Sequence, residues 1–134
     1  MDTIIPDVRR NRALAALIAV SMIALAPTAA RAGSLRCGWL DNPTPGNASL
    51  YDKDGEWTIA VQGGHQANGD WPPEFKPGQW IKHGAGSYGY GCVCLKVELD
   101  EKEKNILNIL SGEARPLSAC RKDPAIAKIE KQLR

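Results

Sequence analysis

The stretch Gly86-Ser-Tyr-Gly-Tyr-Gly-Cys-Val-Cys-Leu95 decides how this chain is read. Tyr88, Tyr90, Cys92 and Cys94 fall at every second position, so a strand presents all four on one face. The other face carries Gly89, Gly91, Val93, Leu95, Val97 and Leu99, small residues giving way to an apolar row. That pattern is a half-buried strand with an unusual second face. Cys37 and Cys120 stand far from it on either side. Bridges from them to Cys92 and Cys94 would tether both ends of a domain to one central strand.

Residues 1–32 read as a cleaved secretory signal and are set aside from the fold. Arg9, Arg10 and Arg12 precede an apolar run from Ala13 to Ala26, broken only by Ser21. Pro27 ends the run, and Ala30 and Ala32 suit the −3 and −1 positions of a cleavage site. The run is about 14 residues, short of the roughly 20 that a bilayer span needs. The Arg9-Arg10 pair leaves general and twin-arginine export both open. A soluble periplasmic or secreted protein is expected, with no membrane span after cleavage.

Removing that leader changes the charge argument. Of 17 Lys and Arg and 15 Asp and Glu, it takes Arg9, Arg10, Arg12, Arg31, Asp2 and Asp7, which leaves 13 of each sign. A neutral domain with no basic, aromatic-interleaved face argues against a nucleic-acid partner. Residues 33–134 form one domain, whose four cysteines in an exported chain read as two disulfides. A Cys92–Cys94 bridge is disfavoured, because those side chains stand too far apart along an extended strand. Two connectivities stay open: Cys37–Cys92 with Cys94–Cys120, or Cys37–Cys94 with Cys92–Cys120.

Arg36 to Leu40 reads as a short strand, and the two prolines of residues 41–47 make the next segment a surface loop. Asp52-Lys53-Asp54-Gly55 is a turn between two β-prone runs, so Ala48–Tyr51 and Glu56–Gln62 form a hairpin, with Trp57, Ile59 and Val61 on one face. Residues 63–78 read as irregular and proline-rich, Gln79–Lys82 as a short strand, and the central strand runs to about Leu99. For residues 100–112 a helix capped by Asp100 competes with a charged turn and a returning strand, Asn105–Leu110. The hairpin is preferred because consecutive strands in small β domains usually pair. Asp123 and Pro124 begin a short C-terminal helix with Ile126, Ile129 and Leu133 on one side. The expected fold is mainly β: a small antiparallel sheet domain stapled by two disulfides, with a short C-terminal helix.

Three sets of words carry a resemblance: Arg36-Cys-Gly-Trp-Leu-Asp-Asn-Pro-Thr-Pro-Gly-Asn47, Glu56-Trp-Thr-Ile59 with Gln62-Gly-Gly64, and the central stretch itself. With Leu117-Ser-Ala-Cys120 they span nearly all of residues 33–134. The chain resembles the exported bacterial proteins catalogued as domain of unknown function 4087. The resemblance implies a small envelope protein of Gram-negative bacteria with four cysteines, and it assigns no activity to any residue.

The candidate sites follow from residue chemistry. Cys92-x-Cys94 has neither the spacing nor the fixed extra ligands of a zinc site, and it lacks the two-residue spacing of a redox pair, so structural bridges are the reading and no metal or cofactor is expected. Asp52-x-Asp54-Gly55 lacks the remaining ligands of a calcium loop. No nucleophile elbow or paired-histidine zinc motif is present. His65 lies in a glycine-flanked polar loop, and with Asp70 and Ser87 it supplies the alternative reading, a small hydrolase-like enzyme. The leading reading is a non-enzymatic binding or inhibitor-like module of the cell envelope. It would recognise a protein or glycan through exposed aromatics, with Tyr88, Tyr90, Trp71 and Trp80 as binding residues and His65 beside them. Tyr88 and Tyr90 are expected to be exposed together, since Gly89 and Gly91 leave little to hold them.

Overall fold

Alternation of apolar and polar residues builds seven strands that join in one curled sheet: β1 (Ser34–Thr44), β2 (Asn47–Asp52), β3 (Gly55–Ala60), β4 (Asn68–Gly69), β5 (Trp80–Lys82), β6 (Gly89–Asp100) and β7 (Asn105–Arg115). The computed structural model describes residues 33–84 and 86–134, so the segment read as a signal lies outside the described residues. The strand order is β4-β7-β3-β2-β1-β6-β5, with β7 also paired to β6. The long strands therefore run in a circuit from β1 through β2, β3, β7 and β6 back to β1. Most pairings are antiparallel, as expected, but β7 runs parallel to both β3 and β4. Counted in chain order, the five long strands follow 1-2-3-5-4-1, which is the connectivity of the OB-fold barrel.

One face of each strand fills the barrel. Leu40, Leu50, Trp57, Ile59, Val93, Leu95, Val97 and Ile106 are all but fully enclosed there. Trp57 and Ile59 point inward as their alternation requires, while Val61, beyond the end of β3, is 45% exposed. Gly91 stands on the inward row of β6, where a Cβ would lie 2.6 Å from Phe75 Cε1 and 3.0 Å from Trp80 Cε3. Only a glycine lets that part of the chain lie against β6. Ala67, Trp71, Phe75 and Trp80 pack on the interior cluster, so the irregular segment between β3 and β6 closes the barrel.

Two local readings change. Residues 41–47 are not a loop: β1 continues to Thr44 and turns tightly into β2. The register slips between Asp41 and Thr44, so Pro43 falls at an irregularity where no ladder donor is needed. For residues 100–112 the hairpin is correct, and β7 extends to Arg115. Asp100 Oδ1 accepts the amides of Lys102 and Glu103, both at 3.1 Å. The residue that resembled a helix cap organises the β6–β7 turn instead.

The outer face of β1 and β6 carries a second core. Trp39, Tyr90 and Cys92 pack beneath Leu117, Cys120, Ile126 and Leu133 of the C-terminal segment. That segment comprises α1 (Leu117–Arg121), a 3-10 turn at Ala127–Ile129 and α2 (Glu130–Leu133). The helical end expected from Asp123 and Pro124 is present in shorter pieces, with Asp123 Oδ1 accepting the Ala125 amide at 2.9 Å. The connectivity is Cys37–Cys94 and Cys92–Cys120. The first bridge joins residues directly opposite in the β1–β6 register, and the second ties α1 to the barrel wall. Trp39 Nε1 adds a buried hydrogen bond to the Ile126 carbonyl at 3.0 Å.

Candidate functional site

The C-terminal segment covers only part of the barrel's outer surface, and a polar strip continues beyond it. Register places its members. Asp41 of β1 lies between Ser49 of β2 and Tyr90 of β6, while Tyr51 of β2 lies between Trp39 of β1 and Glu56 of β3. Odd-numbered residues of β1 and β2 face outward here, because the even-numbered Leu40, Ala48 and Leu50 are enclosed in the barrel. His83 follows β5, and its amide donates to the Tyr88 carbonyl at 2.8 Å, extending the β5–β6 ladder by one step. The imidazole reaches back over the strip: Nε2 lies 3.5 Å from Asp41 Oδ1, and its ring packs 5.5 Å from that of Tyr90.

Glu56 is the strip's main acceptor. Its Oε1 receives the Ser49 hydroxyl at 2.7 Å and the Tyr51 hydroxyl at 3.2 Å. Burial pushes the Tyr51 phenol up to about 12, and the neighbouring Glu56 carboxylate adds to the effect. Asp41 is also raised, mainly by burial, with His83 pulling the other way. Among the described residues its enclosed Oδ1 has no well-formed hydrogen bond, the His83 Nε2 contact being long at 3.5 Å. The strip therefore offers a carboxylate with two hydroxyls already drawn toward it, an under-satisfied second carboxylate, and an imidazole at its edge. It can exchange hydrogen bonds with a polar ligand. Among the described residues, no three His, Cys, Asp or Glu side chains gather as a metal site.

The residues singled out from sequence are dispersed. Tyr90 is 1% exposed, so it is not the surface residue expected. Its outward direction was read correctly, but the C-terminal segment covers it and Glu130 Oε1 accepts its hydroxyl at 3.0 Å. Tyr88 keeps partial exposure at the edge of the strip, beside His83. Trp71 and Trp80 are half-buried against the barrel interior, and the Trp80 indole donates to the Ser87 carbonyl at 3.0 Å. His65 is half-buried, with Nε2 bonded to the Ile106 carbonyl at 2.8 Å. Ile106 pairs with Leu99 near one end of β6, whereas Ser87 precedes the other end. At ~3.3 Å per residue the two ends lie about 30 Å apart along the strand, so His65 and Ser87 are not brought together. Asp70 is exposed and follows β4.

Sequence reasoning missed Asp41, Ser49, Tyr51, Glu56 and His83 as a group. A signal was present: once the Asp52–Gly55 turn sets the β2–β3 hairpin, Tyr51 must face Glu56. Bringing Asp41 and His83 to the same patch required the β1–β6 and β5–β6 registers.

A family model described as "Protein of unknown function (DUF4087)" matches residues 31–127. The chain belongs to the DUF4087 family. The match covers the whole barrel and both disulfides of this DUF4087 domain, and ends before Glu130 and Leu133. No curated protein and no solved structure matches it significantly.

Proposed function

We propose that this DUF4087 domain is a non-enzymatic glycan-binding module acting in an oxidising, extracytoplasmic compartment. The observation that carries the reading is the outward strip of Ser49, Tyr51, Glu56, Asp41 and His83 left open beside the C-terminal segment. Barrels of this connectivity use the face of their second and third strands to bind oligonucleotides and oligosaccharides. Two carboxylates make the strip a poor match for phosphates and a good one for sugar hydroxyls, which donate to carboxylates. Tyr51, Tyr88 and His83 supply ring surface beside them. At this strip a protein partner would call for an aromatic anchor to desolvate, and the neighbouring Trp39 and Tyr90 are already enclosed. Two disulfides and the leader-like residues 1–32 support the compartment.

The test is calorimetric titration of the oxidised domain with a panel of neutral and amino-sugar oligosaccharides, including peptidoglycan-derived fragments. Glu56→Gln and His83→Ala should each weaken binding about tenfold, roughly the worth of one hydrogen bond, while leaving the melting temperature unchanged. Absence of binding across the panel, or binding indifferent to both changes, would refute the reading.

A further inference from the structure

The hairpin of β6 and β7 carries two irregularities. Lys96 pairs with Ser111 but Val97 with Ile109, and Glu98 pairs with Asn108 but Leu99 with Ile106. Each slip leaves one extra residue on β7, and those residues are Leu110 and Leu107. A bulge re-aims its extra side chain, and both leucines emerge into solvent, 50% and 39% exposed. Their neighbours Ile106 and Ile109 stay enclosed. Uninterrupted alternation would place outward only one side of this apolar run. With Ile106 inward, that side would be Leu107 and Ile109; the two slips instead keep Ile109 enclosed and bring out Leu110 beside Leu107.

Beside them runs a groove of about 610 Å³, lined by Val97, Leu99 and Leu107 together with Glu98, Asp100 and Glu101, and, among the described residues, by no basic one, although the Lys96 stem passes beside Gly33. Gly33 also lines it, and a Cβ there would fall 2.6 Å from Leu110 Cδ1, so Leu110 borders the same groove. Leu35, 68% exposed, lies one strand away opposite Lys96. Of the nearby turn cations, Lys104 is turned away, with its Nζ 4.2 Å from the Trp57 ring centre. Glu98 accepts from Asn108 Nδ2 and Asp100 from the turn amides, but among the described residues none of Glu98, Asp100 and Glu101 makes an ion pair, so this rim complements a ligand that is apolar and positively charged.

We propose that this bulged face docks a partner protein through a short segment in which leucine-like side chains alternate with lysine or arginine. Leu107 and Leu110 supply the apolar contact, and Glu98, Asp100 and Glu101 pair with the flanking cations. The surface lies at the end of β6 opposite Tyr90, so it neither rests on the glycan-binding strip nor competes with it.

The experiment is an amide chemical-shift titration of the oxidised domain with a soluble ten-residue peptide carrying two leucines flanked by lysines. A peptide with glutamate in place of lysine serves as the charge control. The proposal expects shifts confined to residues 97–101 and 106–111, no response to the control, and affinity that falls with salt. Leu107→Ser with Leu110→Ser should weaken binding at least tenfold with unchanged melting temperature, since both side chains are exposed. Glu101→Gln, which removes no packing, should weaken it severalfold. Equal response to the control peptide, shifts elsewhere, or insensitivity to the double change would overturn the proposal. Sedimentation showing a dimer that the double change dissociates would also overturn it, by assigning the face to a second copy of this chain.

Discussion

The Tyr90 hydroxyl donates to Glu130 Oε1 at 3.0 Å, forty residues along the chain, inside the contact between the barrel wall and its C-terminal segment. Arg121 clamps the same carboxylate, with Nη2 at 2.7 Å from Oε1 and Nε at 3.0 Å from Oε2. Glu130 is thus the polar pin of an otherwise apolar cover.

These bonds hold the Glu130 carboxyl below the usual glutamate range, Arg121 chiefly and Tyr90 in addition, against the opposing effect of burial. A lowered folded value means the pin stabilises the fold above the ordinary glutamate range, and loses that contribution as pH falls through the folded value. Glu130→Ala should cost about 1.5–3 kcal/mol near neutral pH, the worth of hydrogen bonds to a charged group. Urea melts should show that difference shrinking as the solution is acidified below pH 4; a constant difference would mean the charge is irrelevant.

The two disulfides should behave differently. Cys92 and Cys120 are each 2% exposed, whereas Cys37 is exposed and Cys94 half-buried. Limited reduction followed by alkylation and mass spectrometry should label Cys37 and Cys94 first. Replacing either pair should cost about 3–4 kcal/mol by loop closure over separations of 57 and 28 residues. Only Cys92→Ala with Cys120→Ala should loosen the cover, seen as a red shift in tryptophan emission from Trp39 and faster amide exchange over residues 117–134.

The strands and hairpins of the antiparallel sheet were largely legible in the sequence, because their evidence is local, whereas the parallel β3–β7 pairing that closes the barrel was not. Period two in β6, the Asp52–Gly55 turn and the charged turn after Asp100 each fix a strand or a pairing within about ten residues. Pro43 misled because a proline breaks a ladder only where a donor is needed, and the β1 irregularity removes that need. Tyr90 was the larger error. Its direction on β6 follows from alternation, but its burial depends on Glu130, Ile126 and Leu133, and no short-range pattern relates those residues to it. The candidate strip was hidden for the same reason: Asp41, Ser49, Tyr51, Glu56 and His83 are unremarkable singly and meet only through three registers.

Tyr51 gives that strip a signature independent of any ligand. With its phenol pushed up to about 12, it should remain protonated at pH 10.5, where an unperturbed tyrosine is mostly ionised. Ring-carbon chemical shifts of labelled tyrosine, assigned with Tyr51→Phe, measure this directly. Glu56→Gln should lower the Tyr51 value, because Glu56 contributes after burial. No change would place Glu56 outside the strip's electrostatics.

The most direct test of the glycan-binding account is an amide chemical-shift map of the oxidised domain titrated with whichever oligosaccharide of the panel binds tightest. The account predicts saturable shifts centred on Asp41, Ser49, Tyr51, Glu56 and His83, with the core of the C-terminal cover at Ile126 and Leu133 unmoved. Shifts centred on His65, on the groove beside Leu107, or nowhere would contradict it.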